Sequence, residues 1–136
     1  MYLRQILIVD SDPTAALVTQ HGLQRLLGAE AEVTTASSPS AAWLRCVRGA
    51  VDLLIVDPSP QDRTATVLIK ALREHRLQVP MLVLTAYDTP GLRARMQALG
   101  VEQYLAKPVD LLELAGVVHT ALAADTVSNN GRLVHA

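Results

Sequence analysis

The chain has 136 residues, a net charge of −1 and a hydrophobic fraction of 50%, with only 3% aromatic residues. This length predicts one domain that can bury a sufficient core without disulfides, and the near-zero charge gives no basis for binding nucleic acid or an anionic membrane. The apolar runs are too short to cross a bilayer, and the single cysteine, Cys46, cannot form an internal disulfide, which together indicate a cytoplasmic protein.

Short apolar runs rich in Leu, Val and Ile predict five β-strands, at 5–9, 32–36, 53–56, 81–84 and 101–105. Three of these runs contain an unbroken apolar core, namely ILIV, LLIV and MLVL. Unbroken runs are typical of parallel strands covered by helices on both faces, whereas alternation would indicate one solvated face.

Segments with helical spacing follow the strands and predict five helices, at 13–27, 39–47, 63–75, 90–99 and 111–123. Three of them begin with a capping residue and a proline at the first helical position; the caps are Asp12, Ser38 and Thr89. The fifth begins with Asp110-x-x-Glu113, a capping-box pattern. Residues 124–136 lack periodicity and are expected to form a mobile tail or the start of a linker, so the predicted domain covers 1–123.

Strand and helix alternate five times, which predicts an α/β fold in which right-handed crossovers join parallel strands. The expected architecture is a flavodoxin-like, doubly wound sheet of five strands in the order 2-1-3-4-5, with five helices on its two faces. Ligands of such sheets bind beyond the carboxyl ends of the strands, where the strand order reverses. The residues that follow each strand are therefore the candidates for function.

Polar side chains follow four of the predicted strands: Asp10, Asp57, Thr85 and Lys107. The stretch DLLIVDPSP shows the pattern well, because an apolar run ends in Asp57 and Pro58 then disfavours helical geometry at that acid. With the strand order 2-1-3-4-5, Asp10 and Asp57 face each other across the switch point. Thr85 and Lys107 would line the same edge of the sheet.

Two carboxylates in one crevice require a compensating charge. At about 4 Å they repel by up to ~4 kcal/mol at an effective dielectric of about 20, so they coexist beside a cation or with one of them protonated. Lys107 is one candidate cation and a magnesium ion is another, since magnesium prefers carboxylates, retained waters and phosphate oxygens. Such a site suits phosphoryl transfer, in which an Asp carboxylate can be the nucleophile.

The motifs ILIVDSDP, DLLIVDPSP, MLVLTAYD and GVEQYLAKPVD, in this order, resemble the signature blocks of bacterial two-component response regulator receiver domains, the CheY-like domains. The resemblance covers residues 3–123. It implies a regulatory phosphoprotein that catalyses at most its own phosphorylation and dephosphorylation. It also implies a histidine kinase or phosphotransfer protein as the donor, and a downstream protein or a fused output domain as the target, without direct contact to nucleic acid or membrane.

Carried over residue by residue, the resemblance implies that Asp57 is the phosphoacceptor. Thr85 would hydrogen-bond a phosphoryl oxygen and Lys107 would pair with the phosphoryl charge. The backbones of Ser59 and Ala86 would also contact the phosphoryl group.

The resemblance further implies Mg²⁺ as cofactor, held by Asp10, Asp57 and the carbonyl of Ser59. The chain departs from the family pattern here, because receivers usually carry a second acid at the position of Ser11. A hydroxyl is a poorer magnesium ligand than a carboxylate and adds no charge, so weak metal binding is expected. Asp12 is an alternative ligand, although its place before a proline is typical of a helix cap.

Tyr104 matches the aromatic residue of receivers that turns inward on activation. Phosphorylation would draw the hydroxyl and the ammonium group toward the new charge and shift a pre-existing equilibrium. The output surface is expected to be the fourth helix, the fifth strand and the fifth helix, including Arg93, Met96 and Val109. Homodimerisation through this surface is left open.

Two other interpretations remain at this point. A degenerate receiver with a weak metal site would act as a phosphorylation-independent protein-interaction module. An unrelated flavodoxin-like enzyme or nucleotide binder is disfavoured, because the sequence contains neither a Gly-rich phosphate loop after the first strand nor a nucleophile elbow.

Overall fold

A computed structural model of the chain describes residues 3–60 and 63–135, with side chains for 3–60 and 63–123. The strands are β1 (Arg4–Asp10), β2 (Ala31–Thr35), β3 (Leu53–Asp57), β4 (Met81–Thr85) and β5 (Gln103–Ala106). The α-helices are α1 (Pro13–Leu27), α2 (Pro39–Val47), α3 (Thr64–Glu74), α4 (Pro90–Ala98) and α5 (Leu111–His135), and a short 3-10 helix at Gly28–Glu30 precedes β2.

The strands form one parallel sheet in the order β2-β1-β3-β4-β5, which confirms the predicted fold class. β1 and β3 are neighbours in register, and the last pair of that register is Asp10 opposite Asp57. Further along the sheet, β4 pairs with β5, and Thr85 at the end of β4 lies opposite Ala106. The topology therefore gathers the carboxyl ends of β1, β3, β4 and β5 at one edge.

The three predicted capping residues, Asp12, Ser38 and Thr89, cap their helices in the structure. The side chain of Asp12 accepts hydrogen bonds from Thr14 N and Ala15 N, Ser38 accepts one from Ala41 N, and Thr89 accepts one from Leu92 N. These side chains satisfy backbone N–H groups of the first turn, which would otherwise lack a partner, and so fix the first residue of each helix.

The fifth helix has a cap of the same kind, because the carboxylate of Asp110 accepts a hydrogen bond from Leu112 N. The helix continues to His135, beyond the predicted domain boundary at 123. The side chains of 124–136 lie outside the described residues, and the mobile tail stays a prediction.

Two apolar layers cover the two faces of the sheet, because successive strand residues point to opposite sides. In β1, for example, Leu7 and Val9 belong to the cluster that packs against α2, α3 and α4, whereas Ile6 and Ile8 face α1 and α5. Cys46 of α2 lies in the first layer, as expected of a packed apolar residue.

Met96 corrects one sequence-based expectation. It was expected on the output surface, but it is 1% exposed and belongs to the layer of α2, α3 and α4. Helical spacing alone left the rotation of α4 open, and the apolar side chain of Met96 turns to the core. Within the described residues no helix combines the length and the apolarity needed to cross a membrane.

The outer edge of β2 is covered by side chains of α1. The side-chain amide of Gln24 accepts from Val33 N at 2.8 Å and donates to Ala31 O at 2.8 Å, and Gln20 donates to Val33 O at 2.9 Å. These glutamines take the place of a neighbouring strand and satisfy backbone groups that a free sheet edge would leave open.

Candidate functional site

Three charged side chains meet at the carboxyl edge of the sheet. The ammonium nitrogen of Lys107, which follows β5, lies 2.9 Å from Asp57 Oδ2 and 3.3 Å from Asp10 Oδ2. The backbone supports this position, because Lys107 N donates to Thr85 O at 2.7 Å and so ties the exits of β4 and β5 together. The structure thus brings together the acids and the lysine that the sequence singled out.

The three charges are largely removed from water. The side chains of Asp10, Asp57 and Lys107 are 6%, 12% and 23% exposed. Burial raises the pKa of the Asp57 carboxyl above its ordinary value of 3.8, an effect that the hydrogen bond and charge of Lys107 oppose and the charge of Asp10 reinforces. Burial alone would lower the pKa of Lys107, but its contacts with the two carboxylates more than compensate, and the pKa is raised.

The two oxygens of Asp57 differ in their surroundings. Oδ2 is held by Lys107, whereas Oδ1 is buried and has no hydrogen-bond partner among the described residues. Asp10 uses its second oxygen locally, since its Oδ1 accepts from Asp12 N at 2.9 Å. A buried carboxylate oxygen in this position needs a partner, which a water molecule, a cation or a ligand can supply.

The acids open into a cavity of about 580 Å³ between the ends of β1, β2 and β3 and the starts of α1, α2 and α3. Its polar lining comes from six side chains: Asp10, Ser11, Thr35, Ser37, Asp57 and Thr64. The cavity is large enough for a hydrated ion or a phosphoryl group at the free oxygen of Asp57.

The donor set fits magnesium in part. Magnesium is usually held by one or two carboxylates, with water and phosphate oxygens completing the octahedron, and Asp10 and Asp57 supply two carboxylates, of which Asp57 has an unpaired buried oxygen. Ser11 is exposed and supplies no charge, and in the described parts of the chain no cluster of three or more His, Cys, Asp or Glu side chains could hold a metal. The Oδ1 of Asp12, the alternative ligand, is engaged in capping α1.

Thr85 lies beside Asp57, and its hydroxyl is one of the groups that oppose the rise of the Asp57 pKa. It is 0% exposed, its hydroxyl donates to the carbonyl of Pro58 at 3.1 Å, and it accepts from Tyr87 N at 3.0 Å. The hydroxyl therefore joins the loop after Asp57 to the loop after β4. Ser59 and Ala86 line a neighbouring cleft between these two loops and α4.

Tyr104 is half-buried against the core layer of α2, α3 and α4, and its hydroxyl points to Asp88, an acid outside the site of Asp10 and Asp57. The hydroxyl donates to Asp88 Oδ1 at 3.0 Å, while the guanidinium of Arg93 lies 3.2 Å from Asp88 Oδ2 and stacks 4.3 Å from the centre of the tyrosine ring. Sequence reasoning missed Asp88, because an acid that precedes a helix cap carries no signal of its distant partner.

Comparisons with known proteins, by family, by sequence and by structure, all find response regulators or their receiver domains. The family described as response regulator receiver domain matches residues 6–119. The chain is 31% identical over 118 residues to the DNA-binding transcriptional regulator NtrC of Rhizobium meliloti (strain 1021), covering 87% of this chain and 24% of that protein. It is 31% identical over 120 residues to the transcriptional regulatory protein PcoR of Escherichia coli, covering 88% and 52% respectively. The chain thus spans about a quarter to a half of these relatives.

Solved structures show the same architecture. The chemotaxis protein CheY4 of Vibrio cholerae superimposes with a TM-score of 0.76 at 24% identity, over 89% of this chain and 100% of that one. The receiver domain of a putative Luxo repressor protein from Vibrio parahaemolyticus gives 0.83 at 16% identity, over 94% and 96%. At these identities the likeness establishes the fold.

Proposed function

The chain belongs to the response regulator receiver domain family, and we propose that it accepts a phosphoryl group on Asp57 and transmits that modification as a change of its surface. Receiver domains are regulatory domains of two-component systems that interact with histidine kinases and output domains. The relatives named above are transcriptional regulators, and a sensor protein, GacS of Pseudomonas syringae pv. syringae, is also 31% identical over 119 residues.

The observation that carries the proposal is the unpaired oxygen of Asp57. Oδ1 is free to attack phosphorus while Oδ2 is held by Lys107 at 2.9 Å. In the transfer, a bond forms between the carboxylate oxygen and phosphorus, and the bond from phosphorus to the donor breaks. The donor, a phosphohistidine nitrogen or the acetate oxygen of acetyl phosphate, leaves with the electron pair.

The remaining residues of the site would stabilise the charge that accumulates during transfer. Lys107 pairs with both carboxylates and lies where it can reach a phosphoryl oxygen on Asp57. Asp10, Asp57 and the carbonyl of Ser59 would hold Mg²⁺, which supplies charge neutralisation at the phosphoryl oxygens when it is bound. The backbone of Ala86 would contact the same oxygens.

Thr85 would connect the modification to the surface. Its hydroxyl now bonds the carbonyl of Pro58, and a phosphoryl group on the adjacent Asp57 offers three stronger, charged acceptors. A move of Thr85 toward them would shift the loop after β4 and the surface formed by α4, β5 and α5. We propose this surface as the contact for a downstream protein or a fused output domain, in a cytoplasmic two-component pathway.

Intact mass measurement tests the proposal. The protein is incubated with Mg²⁺ and acetyl phosphate, and the expected result is one phosphoryl adduct that is absent from Asp57→Asn. An adduct of equal yield on Asp57→Asn would overturn the assignment. No adduct with acetyl phosphate or with a cognate kinase would favour a phosphorylation-independent interaction module, the function left open by the serine at position 11.

A further inference from the structure

We propose that Asp88, Arg93 and Tyr104 form a latch, here called the α4 latch, that holds the start of α4 against β5 until a phosphoryl group on Asp57 releases it through Thr85. The inference rests on the proposed function, because the releasing signal is that phosphoryl group. Its basis is a closed set of contacts among three side chains from three successive segments of the chain: the loop after β4, helix α4 and strand β5.

Each member of the latch contacts both of the others. The hydroxyl of Tyr104 donates to one carboxylate oxygen of Asp88 at 3.0 Å, and Arg93 binds the other oxygen at 3.2 Å. The guanidinium of Arg93 then covers the ring of Tyr104, 4.3 Å from its centre. The hydrogen bonds from Arg93 and Tyr104 lower the pKa of Asp88, and burial together with the bond to Asp88 raises the pKa of Tyr104 to about 12.

In the first turn of α4, the partly buried Leu92 packs against the core layer of α2, α3 and α4. Of its residues, all of which the structure describes, Met96 is the one that is buried. The far end of the helix is held independently, because Arg73 of α3 donates to Leu99 O and to Gly100 O, both at 3.0 Å. The latch adds polar side-chain contacts from the first turn of α4 to Asp88 and Tyr104, while the last turn stays anchored to α3.

The latch also has a physical connection to the acidic site. Thr85 accepts a hydrogen bond from Tyr87 N, and Asp88 is the next residue in the chain. A movement of the Thr85 hydroxyl from the Pro58 carbonyl toward a phosphoryl group would displace the backbone at Tyr87 and carry Asp88 with it. Because a hydrogen bond weakens steeply with lost alignment, this displacement would break the contact between Asp88 and Tyr104.

The test compares two variants that open the latch without touching the acidic site, Asp88→Ala and Arg93→Ala. Both residues are exposed, so both variants are expected to fold. In the unphosphorylated state, NMR should show shifted resonances for the Tyr104 ring and for the amides of 86–92. With acetyl phosphate and Mg²⁺, both variants should gain the adduct roughly two- to fivefold faster than the parent, the range that exposed ion pairs typically control.

Glu74→Ala is the control, because Glu74 is also an exposed acid paired with a basic side chain, Lys70 at 4.0 Å on α3, outside the latch. Tyr104→Phe removes the hydroxyl and keeps the ring, so adding Asp88→Ala to it should produce a smaller acceleration than Asp88→Ala alone. A merely structural role of Asp88 would give additive effects instead.

Two results would overturn the latch separately from the proposed function. Tyr104 resonances that change no more in both latch variants than in Glu74→Ala would show that the contacts do not hold the residue. Shifted resonances with an unchanged adduct rate would show that the contacts exist but are not coupled to Asp57. Absence of an adduct in every variant would overturn the proposed function and with it the coupling, while the NMR comparison still decides the contacts.

Discussion

The ammonium nitrogen of Lys107 lies 2.9 Å from the Oδ2 of Asp57, although 50 residues separate them along the chain. The same nitrogen reaches Asp10 across 97 residues. One cation thus neutralises part of the repulsion between two carboxylates that the register of β1 and β3 sets side by side. With both carboxylates ionised, the site keeps one negative charge in excess, which a metal ion or a proton can neutralise.

Replacing Lys107 by methionine should destabilise the domain. The change keeps a similar apolar stem and leaves two largely buried acids without their cation, so we expect the free energy of unfolding at pH 7 to fall by about 2 kcal/mol, less than for a fully buried pair. Urea denaturation measures this change. Lys70→Met, at a lysine that is 66% exposed, is the control and should alter stability little. Equal losses in both variants would contradict the role of the buried cation.

Asp57→Asn should stabilise the domain at neutral pH. The raised pKa of Asp57, caused first by burial, means that ionising this carboxyl costs the folded state more than the unfolded state. The amide removes that cost and the repulsion from Asp10, and a gain of about 1 kcal/mol is expected.

The stability gained in Asp57→Asn should be largest at neutral pH and decrease as the pH falls. The ionisation cost builds up from the unfolded pKa, near 3.8, to the raised folded value and is complete above it. Urea denaturation of both proteins at several pH values should therefore show their difference shrinking as the pH falls toward 3.8. A difference that grows on acidification would mean that the folded pKa is lowered, contrary to the burial argument.

Ser11→Asp should strengthen magnesium binding. Ser11 lines the acidic cavity, and a carboxylate there would add a third negative charge beside Asp10 and Asp57. We expect the dissociation constant for Mg²⁺, measured by calorimetry, to fall by roughly tenfold. Ser37→Asp, at another serine of the same cavity, tests whether added charge alone suffices. An unchanged affinity in Ser11→Asp would show that this serine is not what weakens the site.

Gln24→Leu should weaken the edge of the sheet. The substitution removes the bonds to Val33 N and Ala31 O and leaves these backbone groups to water, at a cost of about 1 kcal/mol. The amide of Val33 should then exchange its hydrogen faster, and an open edge favours self-association. Gln97→Leu, at an exposed glutamine of α4, is the control. Unchanged exchange at Val33 would contradict the protective role of Gln24.

Much of the fold could be predicted because its signals are local. The caps Asp12 and Ser38 with their prolines fixed the starts of α1 and α2, and α1 has the bounds 13–27 that were predicted. The unbroken apolar strands indicated a doubly covered parallel sheet, and the strand order followed from the fold class. β5 begins at Gln103 rather than 101, because Val101 packs in the core before the strand pairing begins.

Other features of the structure depend on tertiary contacts between distant residues, which no local sequence pattern indicates. Nothing in the sequence around Asp88 indicates its bond to Tyr104, and nothing around Gln24 indicates that it covers a strand edge. The four strand-exit residues could be named in advance, but the structure shows that the Thr85 hydroxyl is engaged with Pro58 and Tyr87. Such bonds are set by the packing of whole elements, which periodicity does not specify.

Reductive trapping tests the central claim, that Asp57 is the phosphoacceptor, most directly. The protein is treated with acetyl phosphate and Mg²⁺, then with borohydride, which reduces an aspartyl phosphate to homoserine, and the modified residue is located by peptide mass spectrometry. We predict homoserine at position 57 and none in a sample without phosphodonor. Homoserine at Asp10 or Asp12 with an unmodified Asp57 would contradict the assignment, as would an intact-mass adduct that leaves Asp57 unreduced.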